Sequence, residues 1–299
     1  MASEHPDISI ITIVKDDALA LERTISSVSQ QFLKSYEFII IDGGSIDGTV
    51  DVISSHADLV SSWVSEPDHG IYDAMNKGLA HATGDWVIFL NAGDTFANQE
   101  VLQRIFSDES LNTSIFLSSE SQDTEHRVTS SVHEPGFIST GPGDADVIYG
   151  DSIADYGQFM IYRKAGLPSE LWKGMFCNHQ SMLFRRKLFY HREFRTDLLI
   201  TGDHEFIYRI HSEGFPFAYL PIAVVTWHTR GVSNRSQVKS VVERYKMVKQ
   251  FHQYSLSRKC YYLLLLLLAA MVEVAYLVVP GSWIRMVIKC INKRNLVRS

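Results

Sequence analysis

The chain of 299 residues is poor in cysteine and proline. Its three cysteines, Cys177, Cys260 and Cys290, are widely spaced and form no Cys-x-x-Cys pair. This argues against a disulfide framework and against a structural zinc site. The chain has 8 prolines and 18 glycines, and 45% of its residues are hydrophobic, which excludes a disordered or fibrous protein. The length predicts one large or two small folded domains.

The sequence also lacks the basic and apolar segments of a signal peptide at Met1–Asp7, so we expect a cytoplasmic body. The net charge of -6 is unevenly distributed, because residues 261–299 carry +4 and the preceding 260 residues carry -10. An acidic body argues against nonspecific nucleic-acid binding. A basic, apolar tail is typical of a segment at the surface of an anionic membrane.

Apolar runs alternate with helix-period segments through the first hundred residues. We predict strands at 8–14, 36–42, 59–64 and 86–91, with helices at about 18–33, 48–55 and 70–82 between them. Strands rich in Ile and Val that alternate with helices indicate an α/β fold with a parallel sheet covered on both faces. Ligands bind such sheets at the edge where the carboxyl ends of the strands meet.

Beyond residue 99 the periodicity weakens. Residues 107–146 are rich in Ser, Thr, Asp, Glu and Gly, which predicts a variable insertion or a long loop. Further elements are predicted at 147–151 and 217–228 (strands) and at 204–212 and 237–254 (helices).

Two predicted strands end in carboxylates. The second runs into Asp42-Gly-Gly-Ser-Ile-Asp-Gly-Thr49, and its aspartate could accept hydrogen bonds from a base or ribose or could belong to a capped turn. The fourth runs into Leu90-Asn-Ala-Gly-Asp94, whose aspartate suits a Mg²⁺ or Mn²⁺ ion completed by substrate phosphates, or a helix N-cap. The first strand is followed by Lys15–Ala18 in place of a glycine-rich fingerprint, which disfavours a dehydrogenase.

These two turns, together with Ser65–Gly78 and Ala82–Asp94, resemble the family 2 glycosyltransferases. The closest resemblance is to the subgroup that assembles bacterial surface polysaccharides of the colanic acid or O-antigen type. The resemblance implies a GT-A fold, which is Rossmann-like, and inverting transfer from a nucleoside-diphosphate sugar. A UDP-sugar donor, a Mg²⁺ or Mn²⁺ ion and a saccharide or lipid-linked saccharide acceptor are expected.

The resemblance also implies roles for individual residues. The nucleotide-sugar site would include Val14, Asp42, Asp68, Asp73, Asn76 and Asn91. Asp94 would hold the cation on the diphosphate. The usual Asp-x-Asp motif is reduced here by Asn91 and Gly93, which leaves the strictness of metal dependence open.

Leu199–Arg209 resembles the segment that supplies the catalytic base, with Asp203 at the matching position. An inverting transfer needs such a carboxylate to accept the proton of the attacking hydroxyl. Asp203 could also be the N-cap of a helix beginning at His204, and Glu205 is a second candidate base. His179 and Gln180 would lie near the donor sugar or acceptor, unless His179 is structural.

His228 and Arg230 end the last predicted strand, and they are candidates to contact the diphosphate or metal. A solvated strand end is the alternative for both. The resemblance thus divides the chain into a nucleotide-sugar-binding half (1–110), an acceptor-binding and catalytic-base half (111–235) and a helical segment (236–299).

The apolar run Cys260–Val279 is interrupted only by Glu273 and is long enough to cross a bilayer. Basic residues flank both of its ends, which opposes a single span under the positive-inside rule. We therefore predict a helix or bent hairpin embedded from the cytoplasmic side at the inner face of the plasma membrane. A buried helix at an oligomer interface is the alternative.

Two other function classes remain open from sequence. A nucleotidyltransferase would require a Gly-rich, Arg-containing loop after the first strand, where Lys15-Asp16-Asp17 stands. A noncatalytic sugar-nucleotide-binding protein is compatible with Asn91, and donor hydrolysis would separate it from an enzyme.

Overall fold

The computed structural model describes residues 5–33, 35–106, 144–229, 237–251, 256–279 and 281–297. Most of the predicted insertion, at 107–143, and Arg230 lie outside the described residues.

The described strands form one nine-stranded sheet in the order β3-β2-β1-β4-β8-β6-β9-β5, with β7 paired to β6. The strands are β1 (Ile8–Val14), β2 (Tyr36–Asp42), β3 (Ser62–Ser65), β4 (Trp86–Phe89), β5 (Thr95–Phe96), β6 (Val147–Asp155), β7 (Met160–Arg163), β8 (Met182–Arg185) and β9 (Phe217–His228). The bounds of β1, β2 and β9 match the prediction, and β6 runs four residues further.

Helices cover both faces of this sheet. They are α1 (Ala18–Ser29), α2 (Thr49–Ser55), α3 (Ile71–His81), α4 (Val101–Phe106), α5 (Gly202–Ser212), α6 (Gln237–Phe251), α7 (Leu256–Val278) and α8 (Gly281–Ile291). Helix α1 ends four residues earlier than predicted, and Phe32 lies beyond it as an exposed side chain rather than on its buried face. Helix α8 lies in the segment 236–299 that was predicted to be helical, although no bounds were predicted for it.

The parallel sheet predicted from the first hundred residues is confirmed for β1 to β4, and the second half of the chain adds antiparallel pairs to it. Strands β3, β2, β1 and β4 are parallel, but β8 runs antiparallel to both β4 and β6. Because two reversals restore the direction, β6 and its parallel neighbour β9 run the same way as β4. The carboxyl ends of β1, β2, β4, β6 and β9, and the amino end of β8, therefore lie along one edge.

The core has two apolar layers, one on each face of the sheet. Alternate residues of β1 divide between them, with Ile11 and Ile13 in one layer and Ile8 and Ile10 in the other. The first layer includes side chains of α3 and α5, and the second includes those of α1 and α4. Burial on both faces explains why all seven residues of β1 are buried, the polar Ser9 and Thr12 included, and why five of the seven are Ile or Val.

The C-terminal helices continue from this body. Helix α6 packs against α5 and α7. Within the described ranges, no helix has both the length and the apolarity that a transmembrane span requires.

Candidate active site

The turn after β4 places Asp94 at the common edge of the sheet. Gly93 has a φ of +94°, a conformation that favours glycine, and this bends the chain so that Asp94 turns inward. The buried Thr24 of α1 fixes the turn, since its hydroxyl donates to the Asp94 carbonyl (2.8 Å) and accepts from the Gly93 amide (3.0 Å). The residues after Asp94 form β5, so Asp94 does not cap a helix.

Asp94 is buried and has only neutral donors as direct partners. Oδ1 accepts from the backbone amide of His228 (2.9 Å), and Oδ2 accepts from Nε2 of Gln180. Burial raises the pKa of Asp94 to about 6, although these two donors and the charge of His179 oppose the rise. When Asp94 is ionised, its negative charge is therefore not neutralised by a positively charged group in direct contact.

This environment fits a divalent cation. The Oδ1 atom of Asn91, three residues before Asp94, is also buried without a hydrogen-bond partner within the described structure. Among the described residues, no three His, Cys, Asp or Glu side chains cluster to hold a metal by themselves. Mg²⁺ commonly takes one or two carboxylates and completes its shell with phosphates and water. Asp94 supplies one such carboxylate, and Asn91 belongs to the same turn, since its carbonyl accepts from the Asp94 amide (3.0 Å).

Asp203 lies in the first turn of α5, whose N-cap is Thr201. The prediction that Asp203 caps a helix beginning at His204 is therefore wrong, because the helix starts at Gly202. Its Oδ1 atom accepts from the hydroxyl of Tyr72 (3.0 Å), and its Oδ2 atom lies 3.0 Å from Nδ1 of His179. Burial alone would raise the pKa of Asp203, but the charge and hydrogen bond of His179 and the His204 amide lower it to about 2.

His179 and Gln180 connect the two carboxylates. They lie in a short 3₁₀ turn that leads into the amino end of β8. His179 contacts Asp203, and Gln180 contacts Asp94. Burial lowers the pKa of His179, but the nearby charges of Asp203 and Asp94 raise it above its ordinary value. Its Nε2 atom is buried with no partner in the described part of the chain, and it can donate to a ligand when the ring carries both protons.

The backbone around Asp203 is held from two sides. A Cβ atom at Gly202 would lie 2.7 Å from the ring of Tyr72, so only glycine allows this ring to reach Asp203. On the other side, the Glu243 carboxylate of α6 accepts from the amides of Ile200 (3.0 Å) and Thr201 (3.2 Å). Helices α3 and α6 therefore fix the position of the carboxylate.

The remaining charged groups of α5 point elsewhere. Glu205, the second candidate base, is buried and pairs with Arg209 one turn further along the helix (3.2 Å).

His228 ends β9 beside the end of β6. Its Nδ1 atom lies 3.2 Å from Oδ2 of Asp155, and its backbone amide donates to Asp94. The last residues of β6 and β9 are register partners, which explains the contact. His228 is thus adjacent to the candidate cation ligand.

Asp42 lies at the same edge, at the end of β2 and in register with Val14. It is fully buried, and its oxygens accept from the hydroxyls of Ser45 and Ser65 (2.6 Å for Ser65) and from the Ser45 amide (3.0 Å). These bonds hold the turn that follows β2 against the last residue of β3. Val14 is also buried, and its carbonyl accepts from the Gly43 amide (2.9 Å).

The three polar residues predicted at the sugar-diphosphate region occupy different surroundings. Asp68 lies over Gly43, where any side chain would collide with its carboxylate. Asp73 accepts from the His69 amide (3.0 Å), which lowers its pKa, and lies 3.6 Å from the Lys77 ammonium group. Asn76 uses both amide atoms on the backbone of Phe194 (2.9 Å each), which is a structural contact that the sequence did not indicate.

Sequence reasoning missed four residues that build this site. They are Thr24, Tyr72, Asp155 and Glu243. The position of Asp155 at a strand end could have been found if β6 had been extended past Asp151. The other three contact partners far along the chain, and no local pattern marks them.

Next to Asp203, the buried His204 gives the fold a sensitivity to acid. Its Nε2 atom bonds the Leu171 carbonyl (2.7 Å), and burial lowers its pKa from 6.5 to about 4. The unfolded chain then binds this proton first, so the contribution of neutral His204 to stability is complete above pH 6.5 and is lost as the pH drops towards 4. At about 1.4 kcal/mol per pH unit, the loss is about 3 kcal/mol.

We therefore expect His204→Gln to remove this contribution, so that the free energy of unfolding of the variant rises relative to that of the wild type as the pH falls from 6.5 to 4, since the amide keeps a donor and does not titrate. Urea unfolding at a series of pH values measures it. Parallel curves for the variant and the wild type would contradict the assignment.

Comparison with known proteins decides the family. Residues 9–192, more than half of the chain, match the sequence model of glycosyl transferase family 2. The chain belongs to this family. The match to family 2 includes Asp42, Asp94 and His179 and ends before Asp203 and His228.

Individual relatives agree with this membership. An uncharacterised glycosyltransferase of Mycobacterium tuberculosis is 45% identical over 98 residues, which are 32% of this chain. The match spans only 37% of that relative's length. A PGL/p-HBAD biosynthesis glycosyltransferase of Mycobacterium bovis is 27% identical over 252 residues, 81% of this chain and 85% of that protein.

Solved structures share the fold. A mannosyltransferase from Pyrobaculum calidifontis in complex with GDP-Man and Mn²⁺ has a TM-score of 0.59 at 16% identity, over 93% of this chain and 77% of that one. S. aureus TarS in complex with UDP-GlcNAc has a TM-score of 0.52 at 12% identity, over 86% and 70%. These similarities confirm the predicted GT-A-like α/β fold.

Proposed function

We propose that this family 2 protein is an inverting glycosyltransferase that uses a nucleoside-diphosphate sugar. The observation that carries the proposal is the pair of buried carboxylates, Asp94 and Asp203, which the segment His179–Gln180 connects at the ligand edge of the sheet. One carboxylate has an environment suited to a cation, and the other is held ionised. A transfer reaction needs both functions close together.

The donor would lie along the ends of β1, β2 and β4. Asp42 and Val14 would border the nucleoside, with Asp68 and Asp73 towards the sugar diphosphate. Asp94 and Asn91 would hold a Mg²⁺ or Mn²⁺ ion, which when bound offsets the negative charge of the departing diphosphate. His179 and His228 are placed to add hydrogen bonds to that leaving group, since His179 Nε2 has no partner in the described structure.

Asp203 would accept the acceptor proton. As the acceptor hydroxyl oxygen attacks the anomeric carbon, the bond from that carbon to the diphosphate oxygen breaks and the hydroxyl proton moves to the carboxylate. A pKa of about 2 keeps Asp203 ionised at physiological pH. Tyr72 contacts one oxygen and His179 the other, the His204 amide adds a third donor, and a carboxylate has about four acceptor positions, so one remains for the substrate. Attack opposite the leaving group inverts the anomeric centre.

The acceptor is a saccharide or a lipid-linked saccharide, and we assign the reaction to assembly of a bacterial surface polysaccharide of the colanic acid or O-antigen type. The resemblance of Ser65–Gly78 and Ala82–Asp94 to that subgroup supports this assignment. The Mycobacterium bovis relative, described by its role in PGL/p-HBAD biosynthesis, is consistent with a cell-surface product.

A donor panel tests the proposal. Thermal unfolding with UDP-, GDP- and dTDP-sugars and Mn²⁺ should show stabilisation by one base series, because a ligand that binds the native state raises its apparent stability. The stabilising donor is then incubated with glycan acceptors, and the product anomer is read by NMR. Retention of configuration would contradict an inverting enzyme. So would donor binding that is followed neither by sugar transfer nor by hydrolysis of the donor.

A further inference from the structure

The C-terminal helices leave a large apolar surface uncovered. On α7, six side chains between residues 263 and 272 point away from the body and are 43% to 67% exposed; they are Leu263, Leu264, Leu267, Leu268, Met271 and Val272. Their spacing of one, three and four residues places them on one side of the helix. Exposed apolar patches of this kind mark an interaction site.

The opposite side of α7 faces the body. Tyr262 and Ala269 are buried there, and Leu265 and Leu266 pack against the core. Glu273, the acidic residue of this apolar run, also turns inward and accepts from the Val238 amide in the first turn of α6 (2.8 Å). The acid therefore satisfies a helix terminus and leaves the outer side of α7 without an acidic group.

Helix α8 presents a second exposed apolar side. It carries Trp283, Met286, Val287 and Ile291, which are 52% to 78% exposed. Positions 283, 286, 287 and 291 form one stripe of the helix. In a soluble domain such a stripe packs against the core, but here it faces outward.

The residues after this stripe fix α8 against the body. Asn292 accepts from Arg163 of β7 (3.2 Å), and the Val297 amide donates to the Met160 carbonyl (3.0 Å). Lys289 lies 5.6 Å from the ring centre of Phe159. The polar side of α8 thus contacts the β6–β7 hairpin, so its apolar stripe cannot turn inward without breaking these contacts.

We infer that the outer sides of α7 and α8 form a lipid-docking surface that lies in the interface of an anionic bilayer without crossing it. Charge complementarity selects this occupant. Residues 256–299 contain seven basic residues and one acidic residue, and that acid is turned inward. The described cations Arg258, Lys259, Lys289, Lys293 and Arg294 flank the apolar stripes at both ends.

A second copy of the chain fits this surface less well, because two faces rimmed by cations would repel each other. Anionic headgroups attract the same cations, and the acyl boundary accepts the leucines and Trp283. The attachment of the inner side of α7 to the body also opposes a spanning position, in which lipid would surround the helix. The surface would bind lipid whether or not the chain transfers sugar.

Vesicle flotation of the full-length protein tests this surface. We expect binding to vesicles of phosphatidylcholine with phosphatidylglycerol and much weaker binding to phosphatidylcholine alone. Leu267→Glu should lower the partition coefficient at least about tenfold, because it removes one leucine that the lipid would bury and adds a negative charge. Leu19→Glu on α1 is the matched control, because Leu19 is also an exposed helical leucine, and it should bind as the wild type does.

Trp283 gives the depth of insertion. Lipids brominated near the headgroup should quench its fluorescence more than lipids brominated near the chain ends, and Trp283→Phe should lack this quenching. Stronger quenching at the bilayer centre would overturn the interfacial position. Unchanged binding of Leu267→Glu would overturn the surface. The surface would also be overturned if the wild type failed to bind vesicles and formed a dimer in the absence of lipid that Leu267→Glu dissociates.

Discussion

Asp203→Asn should reduce sugar transfer by about 100-fold to 10,000-fold, the usual contribution of a positioned general base. The asparagine has the same shape and keeps an acceptor for the Tyr72 hydroxyl, which lies 3.0 Å from Oδ1. It cannot accept the proton of an attacking hydroxyl. Donor affinity, measured by calorimetry with Mn²⁺ present, should change little, because the donor contacts assigned to Asp94 and Asp42 remain.

Glu205→Gln is the matched control for this variant. Glu205 lies two residues further along α5, is also buried, and pairs with Arg209 rather than with the site. The variant should keep kcat within about threefold of the wild type, because Glu205 contacts Arg209 and not the reacting atoms. Transfer by Asp203→Asn at the wild-type rate, or a collapse in Glu205→Gln alone, would reassign the base.

The structure also explains which parts could be predicted from sequence. Strands β1, β2 and β9 were predicted with correct bounds, because each is rich in the apolar, β-branched and aromatic residues that favour strands. The carboxylates Asp42 and Asp94 were placed at one edge because parallel strands share the direction of their carboxyl ends. The bounds of α8 were not predicted, because its apolar residues were interpreted together with the basic residues of the predicted helical segment 236–299.

The contacts that complete the site are long-range. Tyr72 and Asp203 are 131 residues apart, and Asp94 and His228 are 134 apart. These pairs meet because β8 lies antiparallel between β4 and β6, so that β6 and β9 join the same sheet with their carboxyl ends at the same edge as that of β4. A local pattern carries no information about that reversal. The resemblance to family 2 supplied Asp203 as a candidate, but not the partners that hold it.

Asp94→Asn should have opposite effects on stability and on function. Burial raises the pKa of Asp94 to about 6, above the ordinary 3.8, so the folded state favours the neutral form. The cost of the buried charge therefore appears as the pH rises through 3.8 to 6 and persists above it. At about 1.4 kcal/mol per pH unit this cost is about 3 kcal/mol. Without a divalent cation at pH 8, the variant should melt at the same or a higher temperature than the wild type.

The addition of Mn²⁺ and donor should reverse that order. The wild type gains stability from binding, whereas Asp94→Asn lacks the carboxylate proposed to hold the cation and should gain little. Transfer by the variant should fall at least about 100-fold, because the charge on the departing diphosphate is no longer offset. Thermal melts with and without Mn²⁺ and donor, together with initial rates, measure both effects.

Asp85→Asn is the control for the loss of one negative charge. Asp85 immediately precedes β4, at the end of the strand opposite to Asp94, and its side chain is exposed. Mn²⁺ and donor should stabilise this variant as much as the wild type. If Asp94→Asn still responded to Mn²⁺ as Asp85→Asn does, the cation would have to be held elsewhere. A lower melting temperature of metal-free Asp94→Asn would instead show that its charge stabilises the fold, against the effect of burial on its pKa.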